Sequence, residues 1–400
     1  MERRRAFIIS VFVIIFGAFI FQGRIFGEND ITKRKFQDRV LGRLQQRHIQ
    51  SAASDYEKIN VIGESSYWGM YDPSVEYDEN GTGWLAYTAL DDFRKELYSI
   101  ETHLARSLDH GKTWTYIGKA NSGSAEDVAM EGGPIRVIYR EETPTLLYDP
   151  SDPSPSKRWK LFAVRGFSPS GRSKDSKWQY VHITYKSAAT PEELSAAGET
   201  YLFGSKYCRM PICSAKYNLN AFYPDLKDTV FYEEPGSLVK DGILYLSLSA
   251  VTKVGQYTIL LSSDDHGNTW RYVGRLASPQ DAKNLGYDEL TSSSLAEENG
   301  RVFLLLSPVK LVPFPRHLQY AGIYIFEFED ISQAKLKRDS SGKLIVQKYI
   351  PPLSTRSVGG GQSEYNEQNT YGGIVMAQSD LAASQERFQI FNTKKRITDE

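Results

Sequence analysis

Residues 107–114 read SLDHGKTW and residues 263–270 read SDDHGNTW, so the pattern Ser-x-Asp-x-Gly-x-Thr-Trp occurs twice in the chain. In each copy the aspartate is suited to cap backbone N–H groups of a turn, and the glycine can take a positive φ. The final tryptophan can hold the turn against a sheet by burying a large ring. The pattern therefore predicts two equivalent turns, and it assigns Asp109 and Asp265 to the fold rather than to chemistry.

Short runs of alternating apolar and polar residues surround both turns. Glycine, asparagine, aspartate and proline separate them, as around GWLAYTAL (83–90), RWKLFAVRG (158–166) and ILYLSLSA (243–250). Such runs at short spacing predict an all-β architecture, and no strand–helix alternation suggests a doubly wound sheet. Aromatic residues make up 12% of the chain, which favours strands, because aromatic side chains pack well on the pleated surface of a sheet.

The runs group into repeated units of strand, acidic or glycine turn, strand, longer link, strand, tight turn and strand. Four-stranded antiparallel units arranged around an axis form a β-propeller, which leaves only short edges exposed. The sequence therefore predicts a β-propeller over residues 59–400. Five blades are favoured, and six remain possible if residues 187–232 contain an irregular blade.

A basic and then apolar segment opens the chain. MERRR (1–5) is followed by 17 uncharged residues, Ala6–Gln22, a length that fits a short membrane-spanning helix or a long signal-peptide core. No small-x-small cleavage pattern follows, and the three arginines favour a cytoplasmic N-terminus. We predict a signal anchor over residues 1–27, a polar helical stalk over 28–58 and a periplasmic or extracellular propeller, which is secreted if the segment is cleaved.

Composition and motifs argue against several classes of protein. The net charge is −1 and no basic stripe occurs, so no nucleic-acid partner is expected. No zinc pattern, phosphate-binding loop, dinucleotide fingerprint or nucleophile elbow is present, so we predict neither metal nor cofactor. Cys208 and Cys213 are the two cysteines, and a disulfide or two free thiols are both compatible with their spacing. The oligomeric state stays open.

Acidic residues recur where the innermost strand of each unit begins. These starts lie near the axis of a propeller, so residues that are distant in sequence converge there. The acidic positions are Asp72, Glu141–Glu142, Glu233–Glu234, Asp288–Glu289 and Glu364. Two or three carboxylates around a pocket provide the acid and the base or nucleophile that glycosidic-bond cleavage needs. Turn formation and solvated loop charges are the alternative interpretation.

The repeated turns resemble the Asp-boxes, or BNR repeats, of the sialidase-like β-propeller superfamily, over about residues 60–395. Two further stretches are similar to five-bladed propeller glycoside hydrolases of the arabinanase, xylosidase and invertase group. YDPSVEYDENGTGWLAYTA (71–89) is similar to their first-blade Asp-Pro signature. EEPGSLVKDGILYLSLS (233–249) is similar to their third-blade Glu-Gly-Pro motif, although glycine and proline are exchanged.

This resemblance implies that Asp72 is the base or nucleophile, Glu234 the acid and Glu142 the second-blade carboxylate, which is usually an aspartate. Aligning Ser74 with Ser237 and Thr145 places Glu234 and Glu142 one position before Asp72, and a one-residue slip turns a side chain to the other face. For substrate binding we predict a sugar-stacking wall of Trp68 and Tyr71, together with Arg165 and Glu289.

The leading interpretation is a glycoside hydrolase acting on an extracytoplasmic oligo- or polysaccharide by paired-carboxylate catalysis. One alternative is a non-catalytic Asp-box propeller that binds glycans or assists assembly at the membrane. The other is an exo-sialidase, whose family uses three arginines and a Tyr–Glu pair. This chain has SSYWGMYDP (65–73) where a sialidase has its Arg-Ile-Pro motif.

Overall fold

The computed structural model describes residues 55–66, 69–90, 100–130, 133–169, 181–204, 215–312, 317–353, 357–380 and 388–399. In these ranges the chain is built almost entirely of strands, so the predicted all-β class is confirmed. The predicted signal anchor, most of the predicted stalk, Trp68 and the Cys208–Cys213 pair lie outside the described residues. Among the residues that are described, no helix is both long and apolar enough to cross a membrane.

The described strands are short and follow one another closely. In chain order they are β1 Glu57–Lys58, β2 Val61–Ile62, β3 Gly69–Tyr77, β4 Gly83–Leu90, β5 Ile100–Ser107, β6 Trp114–Asn121, β7 Ala125–Met130, β8 Gly133–Tyr148, β9 Trp159–Pro169, β10 Val181–Ala188, β11 Thr200–Gly204, β12 Thr229–Lys240, β13 Ile243–Thr252, β14 Gly255–Ser263, β15 Arg271–Ala277, β16 Glu289–Glu298, β17 Arg301–Val312, β18 His317–Tyr320, β19 Ile323–Asp330, β20 Lys335–Leu336, β21 Val346–Ile350, β22 Ser357–Glu364, β23 Val375–Asp380 and β24 Phe388–Asn392. Two short α-helices are described, α1 (Leu219–Phe222) and α2 (Pro279–Asn284).

Strands that are neighbours in sequence pair antiparallel in five groups. The groups are β3–β4–β5–β6, β8–β9–β10–β11, β12–β13–β14–β15, β16–β17–β19 with β20 and β21, and β22–β23–β24. Strand β1 completes the last group, because Glu57 and Lys58 pair with Asn392 and Phe391 of β24. The last two residues of the predicted stalk therefore belong to the sheet. This pairing of an early strand with the last one covers an edge that would otherwise be exposed.

The first strands of the groups surround a common axis. β3, β8, β12, β16 and β22 contact one another in this order, and β22 returns to β3. Small polar side chains join them: the Leu146 N–H donates to Ser74 Oγ at 2.9 Å, and the hydroxyl oxygens of Thr145 and Ser237 lie 3.0 Å apart. The arrangement is consistent with the predicted β-propeller.

The apolar core lies between neighbouring groups rather than at the axis. Five clusters of buried residues each combine side chains of two adjacent groups. One of them joins Trp84 and Leu104 of the first group to Leu146 and Trp159 of the second. Because the sheets bury their apolar faces against one another, the axis is left to polar side chains.

The two repeated turns connect the third and fourth strands of their groups, β5 to β6 and β14 to β15. Asp109 accepts hydrogen bonds from Thr113 N at 2.8 Å and Thr113 Oγ1 at 2.7 Å. Asp265 accepts the corresponding hydrogen bonds from Thr269 N at 2.7 Å and Thr269 Oγ1 at 2.6 Å. In each turn the final tryptophan donates its Nε1–H to the glycine carbonyl at 3.1 Å. The glycines have φ of 86° and 92°, so the turns follow the geometry that their residue types predict.

Candidate active site

Each of the five inner strands is interrupted by a β-bulge at the same point. The pairing with the next strand skips two residues, between Tyr71 and Ser74, Glu142 and Thr145, Glu233 and Gly236, Thr291 and Ser294, and Gly360 and Ser363. The first skipped residue has a positive φ in every strand: 49° at Asp72, 50° at Thr143, 55° at Glu234, 56° at Ser292 and 68° at Gly361. This backbone is strained for residues other than glycine, and such strain clusters at functional sites.

The bulges define which residues are equivalent. Ser74 and Gly236 are the first paired residues after their bulges, so the alignment of Ser74 with Ser237 is wrong by one position. Asp72 and Glu234 are therefore equivalent. Glu142 is equivalent instead to Glu233, the residue before the bulge.

Asp72 lies at the axis and is 7% exposed. Thr88 Oγ1 donates to its carboxyl at 3.4 Å, and the backbone N–H of Gln362 donates to it as well. Burial raises the pKa of Asp72 well above its usual range, and the charges of Glu142 and Glu234 raise it further. Three predicted carboxylates from three inner strands thus meet at one site.

Glu234 is held by hydrogen-bond donors on both oxygens. Its Oε2 accepts from Ser249 Oγ at 2.9 Å, from Ser292 N at 2.6 Å and from Thr291 Oγ1. Its Oε1 accepts from Ser292 Oγ at 2.9 Å. Gln256 in turn donates to the Ser249 and Thr291 hydroxyls, at 2.7 Å each. Glu234 is therefore fixed as an acceptor in a network of neutral donors.

Glu233 is one of the acidic strand-start residues, but the resemblance implied no catalytic role for it. It is 6% exposed, and its Oε1 has no hydrogen-bond partner among the described residues. Burial raises the pKa of Glu233 well above its usual range. The charges of Glu234, Glu142 and Glu289 act in the same direction, and Arg140 opposes them. The sequence contained the signal, because two glutamates stand side by side before Pro235.

Glu142 lies between a phenol and a guanidinium. Tyr71 donates its hydroxyl to Glu142 Oε2 at 3.3 Å, and Arg140 Nη2 lies 3.3 Å from Oε1. Burial raises the pKa of the Tyr71 phenol well above its usual range, and Glu142 and Asp72 add to this effect. Tyr71 therefore lies beside the carboxylates, at the position from which it was predicted to contact a sugar.

Tyr320 of β18 is a second residue that the sequence analysis did not identify. Burial raises the pKa of its phenol well above the usual range, and the charges of Glu234, Asp72 and Glu233 raise it further. Tyr320 therefore lies close to three carboxylates of the site. Glu289 lies close enough to Glu233 to raise the pKa of that residue. Its predicted role in binding stays a prediction.

No protein-family model and no curated protein sequence matches the chain. Similar solved structures include a thermostable family-43 glycoside hydrolase, with 12% identity over 84% of this chain and 91% of that one and a TM-score of 0.47. The Bacillus subtilis arabinanase Arb43A has 16% identity over 81% and 96%, with a TM-score of 0.45. Zg3597, a family-117 glycoside hydrolase from Zobellia galactanivorans, has 14% identity over 86% and 92%, with a TM-score of 0.48. Two of these proteins are named glycoside hydrolases and the third an arabinanase.

Arg165 belongs to a different cluster. Its Nη1 pairs with Glu141 and lies 3.2 Å from Glu199 Oε2, and its guanidinium lies 4.2 Å from the centre of the Tyr139 ring. None of these three partners is a predicted catalytic carboxylate. The predicted role of Arg165 in substrate binding therefore stays a prediction, as does that of Trp68, which is not described.

One group of potential metal ligands occurs among the described residues, formed by Asp149, Asp152 and His266, whose ligand atoms lie within 4.8 Å of one another. The Lys160 ammonium is fully buried beside them, 2.6 Å from Asp152 and 3.7 Å from Asp149. His266 Nδ1 lies 2.9 Å from Asp149 Oδ2. Because Lys160 already supplies the positive charge, the group is an ion-pair network that joins the second strand group to the repeated turn of the third.

The axial site therefore contains carboxyl groups in contrasting surroundings. Glu234 accepts hydrogen bonds on both oxygens, Asp72 has two donors, and Glu233 has a buried oxygen without a partner. Groups that are crowded in this way cannot all ionise together, so some of them retain a proton at neutral pH. Such a set is chemically equipped for general acid and base catalysis.

Proposed function

We propose that this protein is a glycoside hydrolase built on a five-bladed β-propeller, with its active site at the axis. The observation that carries the proposal is the convergence of Asp72, Glu142, Glu233 and Glu234 from three inner strands on one buried site. The five strand groups and the closed ring of their first strands support a count of five blades. Glycosidic-bond cleavage needs carboxyl groups in two protonation states on opposite sides of the sugar ring.

Asp72 is the proposed base or nucleophile. In a coupled set of carboxyl groups the proton leaves first from the group whose anion is best stabilised. Asp72 has donors from Thr88 and from the backbone of Gln362, whereas Glu233 Oε1 has none among the described residues. Of Asp72 and Glu233, Asp72 is therefore the group that loses its proton first, and in the proposed mechanism it attacks the anomeric carbon or activates a water molecule.

Glu233, rather than Glu234, is the proposed acid. Its proton is retained by burial and by the neighbouring charges, and no side chain among the described residues competes for its buried Oε1. Glu234 has both oxygens engaged by donors, so it orients the bulge and contributes negative charge beside the acid. This assignment replaces Glu234 by its sequence neighbour in the role that the resemblance implied.

The proposed substrate is a neutral oligo- or polysaccharide outside the cytoplasm. Tyr71 and Tyr320 border the carboxylates with aromatic side chains, and Glu142 with Arg140 provides a polar pair for hydroxyl groups. Aromatic rings beside polar groups suit the alternating faces of a sugar. The location is proposed from the N-terminal sequence, in which three arginines precede an apolar run.

The test is a panel of plant, algal and bacterial glycans and nitrophenyl glycosides, assayed for released reducing sugar or nitrophenol. Wild-type protein should cleave at least one glycoside. Asp72→Asn should fold normally and lose at least about 10²-fold in turnover. Binding of a glycan without any cleavage by wild-type protein would instead support the non-catalytic alternative, a propeller that holds glycans at the membrane.

One contact favours an exo-sialidase as the second candidate. The Tyr71 hydroxyl donates to Glu142 at 3.3 Å, and Arg140 lies on the other oxygen of that carboxylate. A Tyr–Glu pair can act as a nucleophile, with the glutamate accepting the phenol proton. A cation beside the pair could bind the carboxylate of a sugar. A fluorogenic sialoside distinguishes the candidates. Cleavage of the sialoside that Tyr71→Phe abolishes would select the sialidase, whereas a glycosidase acting through Asp72 should retain measurable turnover in Tyr71→Phe.

A further inference from the structure

Gln362 of β22 reaches three other inner strands. Its backbone N–H donates to the carboxyl of Asp72 on β3. Its side-chain Nε2 donates to the carbonyl oxygen of Pro144 on β8 at 3.3 Å and to that of Pro235 on β12 at 2.6 Å. The residue has no exposed surface, so water does not compete for these bonds. One side chain and one N–H thus join three bulges.

The residue type at this position differs from that in the other inner strands. Gln362 is the second residue of its bulge, and the equivalent positions hold Pro73, Pro144, Pro235 and Ser293. Proline has no N–H group and no long polar side chain. In this ring, glutamine therefore supplies two things that proline cannot: a donor for Asp72 and an amide that crosses the axis.

The orientation of the Gln362 amide follows from its partners. Both carbonyl oxygens are acceptors, so the amide must present its nitrogen to them, because the flipped amide would place oxygen against oxygen. In this orientation Oε1 has no partner among the described residues. A buried acceptor without a partner is unfavourable. The two bonds from Nε2 to the carbonyl groups offset this cost and hold the side chain in place.

We propose that Gln362 is a positioning residue that sets the distances among Asp72, Glu142 and Glu233. The inference rests on the proposed function, since it concerns the same site. Pro144 lies two residues after Glu142, and Pro235 lies two residues after Glu233, so the bonded carbonyl groups belong to the bulges that carry these carboxyl groups. Acid and base act at a defined carboxyl separation, and small displacements lower the rate strongly.

Two substitutions separate the contributions of Gln362. Gln362→Met keeps the length of the side chain and the backbone N–H, but it removes both side-chain donors. Gln362→Pro also removes the N–H, and it introduces the residue that three equivalent positions already hold. The matched control is Gln378→Met, since Gln378 is another buried glutamine of the same strand group, and its Oε1 accepts from Leu353 N at 3.1 Å.

Two readouts are measured on the full chain: carboxyl titrations by NMR with ¹³C-labelled aspartate and glutamate, and kcat, KM and pH profiles on a glycoside that the wild type cleaves. Gln362→Met should lower kcat by about 10- to 100-fold with little change in KM, and it should shift both limbs of the pH profile. Gln362→Pro should also raise the titration midpoint of Asp72, because a donor to its anion is lost. Gln378→Met should change none of these quantities.

A folded Gln362→Met with wild-type kcat, pH profile and carboxyl titrations would overturn the proposal. If wild-type protein cleaves no glycoside, the proposed function fails, but the titrations still decide the role of Gln362. Unchanged midpoints for Asp72, Glu142 and Glu233 would then refute it. Should Gln362→Met fail to fold, Gln362→Asn makes the same test, because its amide is one methylene too short to reach both carbonyl oxygens.

Discussion

Glu233 and Glu234 are adjacent in sequence, but their surroundings are opposite. Glu234 accepts hydrogen bonds from Ser249, Thr291 and Ser292, whereas Oε1 of Glu233 has no partner among the described residues. The bulge produces this difference, because it places one glutamate in a left-handed conformation and leaves its neighbour in the extended strand. Two residues of the same type therefore have different surroundings, and two different roles are proposed for them.

The first prediction separates these roles. Glu233→Gln should lower kcat/KM by at least about 10²-fold on glycosides with poor leaving groups and by much less on nitrophenyl glycosides, which need little protonation. Glu234→Gln should affect both substrates equally, because it removes a carboxylate charge that holds the bulge in place and not the proposed donor of the leaving-group proton. If instead only Glu234→Gln shows the leaving-group dependence, Glu234 is the acid.

The second prediction concerns pH and stability. Burial and the neighbouring charges raise the pKa of Asp72 in the folded protein above its unfolded value. The folded state therefore binds more protons than the unfolded state in the window between these two values. Stability should fall as pH rises through that window. Asp72→Asn removes this loss, so its melting temperature should exceed that of wild type, and by more at pH 8 than at pH 4.

Melting temperatures of both proteins between pH 4 and 9 provide the measurement. Asp78→Asn is a control, because Asp78 caps its own turn through Asn80 and Thr82, away from the axis. A melting-temperature difference between Asp72→Asn and wild type that does not vary with pH would contradict the raised pKa of Asp72.

At the scale of the element, the two repeated turns act as caps and not as catalytic sites. The Asp109 and Asp265 carboxylates bond within their own turns, to Thr113 and Thr269. Asp109→Ala and Asp265→Ala should each lower the free energy of unfolding by about 1–2 kcal/mol and leave kcat unchanged. Denaturant unfolding is the measurement. Asp264→Ala is the control, since Asp264 is exposed and its replacement should hardly change the free energy of unfolding. A variant of Asp109 or Asp265 that unfolds like wild type but loses turnover would refute the structural assignment.

The bulges are the elements that build the site. Strand starts rich in acidic residues predicted that carboxylates would converge, and Asp72, Glu142 and Glu234 do so. The alternating pattern did not reveal the bulges, because one inserted residue leaves the composition of a strand unchanged. Only the pairing with the next strand shows that Ser74 and Gly236 are equivalent.

At the scale of the molecule, strand β1 joins the beginning of the described chain to its last strand. A segment that approaches from a membrane anchor would therefore enter the sheet directly through Glu57 and Lys58. The corresponding prediction concerns topology. A reporter fused after Glu400 should be active only outside the cytoplasm, and the protein should fractionate with membranes with Met1 retained.

Fractionation and N-terminal sequencing check this prediction. Replacing Arg3, Arg4 and Arg5 by glutamate should weaken or invert the orientation, because basic residues determine which side of the segment stays in the cytoplasm. A soluble protein that begins near Arg24 or Glu28 would show a cleaved signal instead.

The sequence by itself determined the all-β class, the two repeated turns and the strand starts from which the site is built. These features depend on local rules: alternation decides strands, and Asp, Gly and Trp at fixed offsets decide the turn. The tertiary structure alone decided that Glu233 has an unpartnered oxygen, that Tyr320 faces the carboxylates, that Arg165 pairs with Glu141 and that Gln362 bridges the axis. These contacts join residues on different strands, in the case of Gln362 and Pro144 more than 200 positions apart. Burial, pairing and proton affinity depend on such neighbours, and a linear pattern does not contain them.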